Sequence, residues 1–498
     1  MSMISRKLKE DGKALPLSND AAVIPQFLVA AAIATPLFVT VLLPCTIATQ
    51  VAKFVIKKAT GKQPIPAVMT QDVSEEELNS ITDGTKSPRD YDLILFGATG
   101  FTGRLAALYL AKTYGSSIRW AIAGRRLEGL EKIRNELTAI DPSLKSLPLV
   151  IADSSKPDTL RAMILQTKVI ITTAGPFDKY GSDVVKYCAL NGTHYCDITG
   201  EADWVRKMID KYDEAAKKSG AKIVHFCGHD CVPWDLAVGE CAKRLKKESG
   251  EELVSVDLFD QANSGPSGGT LATVFHSLED RVRFKPMLGF DPMLKTLLGS
   301  MSGNKTQGNN QNFLGYSSAI NKWIGPFPMA MVNVVCVKRS NALSNYGSHV
   351  KYSEATVFPS FMAGFVTIVT GLYLVTAFFF PPLLWLLKTF VLPSPGQGPS
   401  QSALDAGFLG VSCKGTGTQG GKVDFEIYFP NDPGYVDTAR MLVESGLSLA
   451  LQNEQLETGG GIWTPAPCLG GTLLQRLVQT GTAVECSFQA ASDKTKAT

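Results

Sequence analysis

Tyr91-Asp92-Leu93-Ile94-Leu95-Phe96-Gly97-Ala98-Thr99-Gly100-Phe101-Thr102-Gly103 is the stretch whose reading decides the fold. Its first six residues form an apolar run of strand length, and it passes without a linker into G-x-x-G-x-x-G. A helical pattern, RLAALYLAKTYG, follows at once and stops at Gly115. Strand, glycine loop and helix in immediate succession form a dinucleotide fingerprint. The glycines permit the tight turn, the approach of backbone to a pyrophosphate, and close helix packing. The phosphates then sit at the helix N-terminus, where N–H groups and the helix dipole favour anions. Gly97, Ala98, Thr99, Gly100, Phe101, Thr102 and Gly103 are the expected phosphate-side contacts.

Downstream the pattern repeats. A second strand, Arg119 to Ala123, ends in Gly124-Arg125-Arg126. An NAD site usually carries Asp or Glu there for the ribose hydroxyls. Two guanidinium groups suit a 2′-phosphate instead, so Arg125 and Arg126 favour NADP(H) over NAD(H); a solvated helix start is the other reading. A helix over Leu127 to Ala139 leads to a strand, Pro148 to Ala152, ending at Asp153. That carboxylate either reaches the adenine edge or caps the next helix. The fourth strand, Lys168 to Thr173, ends in Ala174-Gly175-Pro176, small residues that let the nicotinamide side approach. Further strands appear at His194 to Asp197 and Lys222 to Phe226. This alternation predicts a doubly wound parallel sheet of Rossmann type over residues 90–249.

The chain has 498 residues, too many for one core. With 49 Lys+Arg against 46 Asp+Glu its net charge is +3, which supports no nucleic-acid partner. The ten cysteines include no C-x-x-C pair. Cys227 and Cys231 lie near His225 and His229, but no second cluster completes a zinc site, so no metal is expected. Buried thiols in a reducing compartment are the preferred reading.

Charged residues are only 19% of the chain, and their scarcity is concentrated. Residues 21–52 carry no charge and are flanked by lysines and arginines on both sides. They are long enough to span a bilayer and long for a secretory core, so an uncleaved anchor and a targeting segment both stay open. Residues 355–387 are also uncharged. Ser360 to Phe380 would make a helix of about 32 Å, broken by Pro381-Pro382. A helix in, a turn and a helix out would keep the chain before and after on one side, which reads as a monotopic hairpin over 355–392. A buried core helix is the alternative.

Taken together, GATGFTG (97–103), AGR (123–125), AGPF (174–177), YCDITGE (195–201), CGHDCVPWDLA (227–237), SGGT (267–270), PGQGPS (395–400), DPGYVDTARMLVES (432–445) and GGIWTPAPCLG (460–470) resemble the saccharopine dehydrogenase-like oxidoreductases. These include the bacterial trans-acting enoyl reductases and eukaryotic, lipid-droplet-associated members. The resemblance covers roughly residues 90–490. The family often has an aromatic residue where His229 stands and a small one where Trp234 stands.

The resemblance implies an α/β fold: the Rossmann sheet, a second α+β substrate domain, and membrane-associating segments. The expected organisation is an N-terminal hydrophobic anchor or targeting segment over 1–60 and a linker over 61–89. The Rossmann domain over 90–249 follows. The substrate domain takes 250–354 and 393–459, interrupted by the 355–392 hairpin. The tail 460–498 returns to the first domain, with a helix from Gly470 to Gly481 packing on it.

Hydride transfer asks the protein to orient the nicotinamide, exclude water and manage one proton. Asp230, Tyr195 and His229, near the ends of the fifth and sixth strands, are the candidates for the proton. Asp235 reads as a first-turn helix charge. Ser267 to Thr270 reads as an oxygen-binding turn or a plain one. A saccharopine-like substrate would need converging cations, for which Lys338-Arg339 and Arg281/Arg283 are available. A lipid or acyl-type substrate, reduced at C=C or C=O at a membrane surface, is the favoured reading. The alternatives are an amino-acid reductase and a non-catalytic dinucleotide-binding protein at a lipid surface. A homodimer stays open. The lipid droplet or endoplasmic reticulum is favoured as location, with mitochondrial and plastid membranes open.

Overall fold

The computed structural model describes residues 2–16, 73–85, 87–264, 305–308, 311, 313–379 and 398–491. The run 21–52, the SGGT turn, Arg281, Arg283 and Pro381-Pro382 lie outside the described residues.

The chain begins with helix α1 (Met3–Glu10) and, past the first gap, α2 (Glu75–Ser80), which carries a Ser74/Glu77 capping box. The parallel sheet follows: β1 (Tyr91–Phe96), β2 (Trp120–Gly124), β3 (Leu149–Ile151), β4 (Thr167–Thr172), β5 (His194–Asp197) and β6 (Lys222–Val224). Their spatial order is 3-2-1-4-5-6, every pairing is parallel, and this is the dinucleotide-fold order. Leu93, Ile94 and Leu95 are fully buried although they point to alternate faces. A strand apolar on both sides needs cover on both sides. Helices α3 (Phe101–Thr113) and α4 (Leu127–Ile140) are among the crossovers, with α5 (Ala202–Ser219) on the opposite half.

Helix α6 (Val232–Ser249) links the two domains. Beyond it the second sheet is built from β7 (Leu253–Asn263), β8 (Lys305–Gly308), β9 (Gly315–Ser317), β10 (Lys322–Gly325), β11 (His349–Phe358), β12 (Phe408–Gly417) and β13 (Lys422–Phe429), with helix α7 (Ala330–Ser344) between β10 and β11. β7 is central, antiparallel to β12 and parallel to β11. Helix α6 packs under β12 and β13, and its Cys241 Sγ lies 3.3 Å from Cys413 Sγ as an unbonded thiol pair.

The apolar helix α8 (Phe361–Phe379) leaves β11 directly. Its first turns dock on the second sheet, where a Cβ at Gly364 would meet Leu314 and Phe358. Among the described residues no helix is long and apolar enough to cross a membrane. The described residues thus give no support to the membrane-associating segments expected from the sequence.

The remaining chain crosses between the two domains. Helix α9 (Val436–Leu451) is buried along almost all its length on the first sheet, with Gly446 closing on Ile171 and Leu93. β14 (Gly461–Trp463) adds a seventh parallel strand beside β6. Helix α10 (Pro465–Gln479) then packs against α6 and α9, and β15 (Ala483–Gln489) pairs with β13 in the second sheet. The tail therefore serves both domains, and residues 436–451 belong to the first. At the other end, α1 docks on β12 and β13 through buried Met3 and Ile4. Lys13 Nζ donates to the Gly407 and Pro430 carbonyls, and Tyr428 Oη donates to Asp11. Residues 2–16 are thus part of the second domain and not of a separate anchor.

Candidate active site

The glycine loop meets the geometric demands of a phosphate cradle. Gly97 has φ +89°, a region that L side chains rarely adopt. A Cβ on Gly103 would lie 2.2 Å from Gly97 O, so helix α3 can approach β1 this closely only with glycine there. Gly100 caps α3 without a side-chain hydrogen bond. Its first-turn N–H groups thus have no side chain over them, which suits a pyrophosphate. Thr173 Oγ1 donates to Gly97 O and ties the loop to the end of β4. Phe101 stands edge-on to Tyr435 and against Gly398, so the chain returning at residue 398 passes over the loop.

The other expected contacts occupy the same C-terminal edge of the sheet. Arg125 and Arg126 are exposed directly after β2. Asp153 follows β3, and its Oδ1 accepts from Ser155 N and Oγ, both at 2.9 Å. Those bonds lower its pKa, with Arg125 adding to the effect. The carboxylate thus closes the turn ahead of helix 157–164 while remaining at the cofactor edge. Ala174, Gly175 and Pro176 follow β4, and the next turn is held by Glu201, which accepts from Phe177 N at 2.9 Å and Asp178 N at 3.0 Å.

Tyr195 is fully buried, and its hydroxyl donates to Asp197 Oδ2 at 2.9 Å. Burial, then the Asp197 charge, pushes its pKa well above the ordinary tyrosine value. The same Asp197 oxygen meets His225 Nδ1 at 2.7 Å, and Oδ1 accepts from the Thr199 and Phe226 amides. This node fixes the ends of β5 and β6 from inside the core and does not reach a substrate.

His229 and Asp230 lie just past β6, at the same edge. Their side chains are 16% and 21% exposed. Burial lowers the His229 pKa to about 4 and raises that of Asp230 to about 7. At neutral pH the imidazole is therefore uncharged, and Asp230 holds a proton far more readily than a solvated carboxyl does. Asp235 is fully buried one helical turn on, and its Oδ2 accepts from Ala466 N at 2.7 Å, a structural tie to α10.

Behind Asp230 stand groups that the sequence reading did not single out. Trp234 Nε1 donates to Asp260 Oδ1 at 2.7 Å. On β11, Glu354 Oε2 accepts from Tyr352 Oη at 2.7 Å and Oε1 from Asn333 Nδ2 at 2.8 Å. Glu354 lies opposite Leu258 in register, which puts it diagonal to Asp260 on one face of the sheet. Burial raises both acids, Glu354 to about 8, with the charge of Asp230 adding to each.

Residues 93–224 match the saccharopine dehydrogenase NADP binding domain. The chain is 36% identical over 411 residues to a trans-acting enoyl reductase of Mycobacterium tuberculosis, covering 79% of this chain and 97% of that one. The chain belongs to the saccharopine dehydrogenase-like oxidoreductases. A second relative, the trans-acting enoyl reductase of Mycobacterium leprae, is 33% identical over 412 residues, covering 80% of this chain and 97% of that one. Among solved structures, the apo saccharopine dehydrogenase (L-Glu forming) of Saccharomyces cerevisiae covers 80% of this chain and 99% of its own, at 12% identity and a TM-score of 0.45.

As a member of this family the protein is an NAD(P)-dependent oxidoreductase, and its dinucleotide site is of the NADP-binding kind. The loop residues 97–103, Arg125, Arg126, Asp153 and 174–176 share one edge of the sheet, and Asp230 and His229 join them there. Tyr195 does not, because its hydroxyl points into the core. The sequence reading missed Asp260, Glu354, Tyr352 and Asn333, because the strands that carry the two acids hold several other polar residues and no local motif sets these apart.

Proposed function

We propose that this reductase uses NADP(H) to reduce a C=C or C=O bond of a lipid or acyl-type substrate. The observation that carries the reading is Asp230: a carboxyl with pKa near 7, partly exposed, on the same sheet edge as the phosphate loop. A carboxyl whose pKa burial raises toward neutrality is suited to give up a proton in a reduction. The bound cofactor would supply the hydride. The chain's own residues hold its phosphates (97–103), its 2′-phosphate (Arg125, Arg126) and the turn beside its nicotinamide (174–176, braced by Glu201).

The enoyl reductase relatives favour an acyl substrate over an amino acid. Arg339, one of the cations considered for a substrate carboxylate, is buried, and its guanidinium donates to the Ile462 carbonyl at 2.6 Å.

A membrane or lipid-droplet surface is the proposed location. Support comes from the described flanks of the two uncharged runs. Residues 2–16 are docked on the second sheet, while Val73 and Leu78 pack against the first domain. Likewise, α8 leaves from β11 and the chain is back beside Phe101 at Gly398. Both ends of each run therefore belong to one folded body. A single crossing would separate them, so each run would have to enter and leave on one side. A droplet, with water on one side only, accepts just that topology.

The test is NADPH oxidation by the full-length protein against α,β-unsaturated acyl thioesters, a ketone lipid panel and saccharopine-like amino acids. Turnover of the acyl or lipid class is expected. Tight NADPH binding without turnover of any class would favour the binding-protein reading. For location, replacing residues 372–392 by a short Gly-Ser linker should release the protein from floated droplets or membranes.

A further inference from the structure

The β9–β10 hairpin and the first turns of α8 carry a row of four aromatic rings in mutual contact. Tyr316 and Trp323 stand opposite each other in the hairpin register, with ring centroids 5.4 Å apart. Trp323 meets Phe361 edge-on at 5.2 Å, and Phe361 stacks beside Phe365, one helical turn on, at 6.4 Å. The inner side of the same elements is packed. Ala363 and Val366 are buried, and Leu314 and Phe358 close on Gly364 while Ile368 closes on Gly325. The row itself faces out: Tyr316 is 57% exposed, Phe361 46% and Phe365 43%, with Trp323 partly buried between them. Single exposed apolar residues are ordinary, but a contiguous aromatic row on an otherwise packed element marks a contact surface.

The chemistry around the row selects the partner. Between residues 309 and 337 the only charged residue is Lys322, and from 355 to 387 there is none, against 19% for the whole chain. A soluble partner covering the row would still leave in water the rest of α8, which runs on from it without a charge to Phe379. Lipid receives both at once. Tyr and Trp rings with polar tips, Phe rings beside them and one lysine suit the boundary between headgroups and acyl chains. The length of α8 sets the depth. Past Ile368 eleven residues remain, about 16 Å of helix, against roughly 30 Å for the hydrocarbon core of a bilayer. The chain is back beside Phe101 by Gly398. Such an excursion enters one leaflet and returns.

We propose that Tyr316, Trp323, Phe361 and Phe365 form a docking face that seats the second domain in the headgroup–acyl boundary of a phospholipid leaflet. The inference rests on the proposed membrane location and gives it a specific contact. The folded domain itself binds lipid, and the row fixes the orientation from which the uncharged run enters. No crossing helix is required.

The test uses the full-length protein with phosphatidylcholine vesicles, plain or brominated on the acyl chains. Bromine should quench the tryptophan emission of bound protein, and the quenching should drop in Trp323→Phe, which keeps an aromatic face but removes the indole. The triple variant Tyr316→Ser, Phe361→Ser, Phe365→Ser should bind vesicles about tenfold or more weakly, with NADPH affinity and thermal unfolding unchanged. Replacing residues 372–392 by a Gly-Ser linker removes Trp385 and weakens binding, yet at raised vesicle concentration Trp323 should still be quenched. Loss of that quenching would show that the row has no lipid affinity of its own and overturn the proposal. So would a triple variant that binds as the parent does, or a Trp323→Phe variant quenched as fully as the parent; in both cases the location survives. If the parent binds no vesicles, the location falls with the docking face. A parent that is dimeric without lipid and a triple variant that is monomeric would assign the row to a second copy of the chain, and would overturn the proposal as well.

Discussion

The phosphate loop and the acids Asp230, Asp260 and Glu354 are specified in opposite ways. The loop is seven consecutive residues, 97–103, whose spacing states its own purpose. The acids and their partners come from a loop after β6, the start of α6, strand β7, helix α7 and strand β11. In the loop, backbone shape decides what binds. Among the acids, burial decides what is protonated. A single added methyl group is thus the severe perturbation in the first, and a change of charge at constant shape in the second.

The largest expected effect falls on the loop. Gly103→Val places a branched side chain where even a Cβ would lie 2.2 Å from Gly97 O. NADPH affinity should fall by more than about a hundredfold, roughly the scale of one lost anion-binding constellation. Fluorescence titration checks it, with thermal unfolding run alongside. Retained affinity would mean that the helix start does not hold the phosphates.

Next comes the pH dependence of stability, which interrogates the acids alone. In the folded protein burial raises Asp230 to about 7 and Glu354 to about 8, above their ordinary carboxyl values. Between about pH 4 and 8 the folded state therefore binds more protons than the unfolded one, and stability falls as pH rises through this window. Asp230→Asn and Glu354→Gln remove that titration. Each should lose less stability than the parent between pH 5 and 8, by about 2–4 kcal/mol. Denaturant unfolding at both pH values reads this, and parallel curves for variant and parent would contradict it.

A smaller effect separates the two cofactors. Replacing Arg125 and Arg126 by Ala removes charge-assisted bonds of about 1.5–3 kcal/mol each. NADPH binding should weaken about tenfold or more while NADH binding hardly changes. An equal loss for both cofactors would show that neither arginine meets a 2′-phosphate. The smallest effect is expected at Tyr195→Phe, which deletes one buried hydrogen bond to Asp197, about 1 kcal/mol. Its kcat should stay within a few-fold of the parent, and a collapse of turnover would return Tyr195 to the list of proton donors.

How much of this was legible follows from how local each feature is. The Rossmann strands could be read because each is a short apolar run bounded by glycine or a charge, and their order follows from right-handed crossovers. Asp230 could be suspected from its place after a strand in a parallel sheet. Asp260 and Glu354 could not, since each is one of several polar residues in Leu253–Asn263 and His349–Phe358, with no local motif around it. Only the parallel register that sets Glu354 opposite Leu258 brings the acids together. The same holds for α9, which looked like part of the substrate domain. Its burial on β1 and β4 depends on Gly446 fitting against Ile171 and Leu93, a contact 275 positions away in sequence for Ile171.

The amino-acid sequence by itself determined the dinucleotide fold, the phosphate loop, the cofactor preference and the positions of two uncharged runs. Each depends on residues within a few positions of one another, where steric limits and hydrophobic periodicity act directly. The tertiary structure decided which carboxyls are neutral, that Tyr195 faces the core, that residues 2–16 belong to the second domain, and that the tail serves both sheets. Those outcomes depend on desolvation and on contacts between distant segments, and neither quantity exists until the chain has folded.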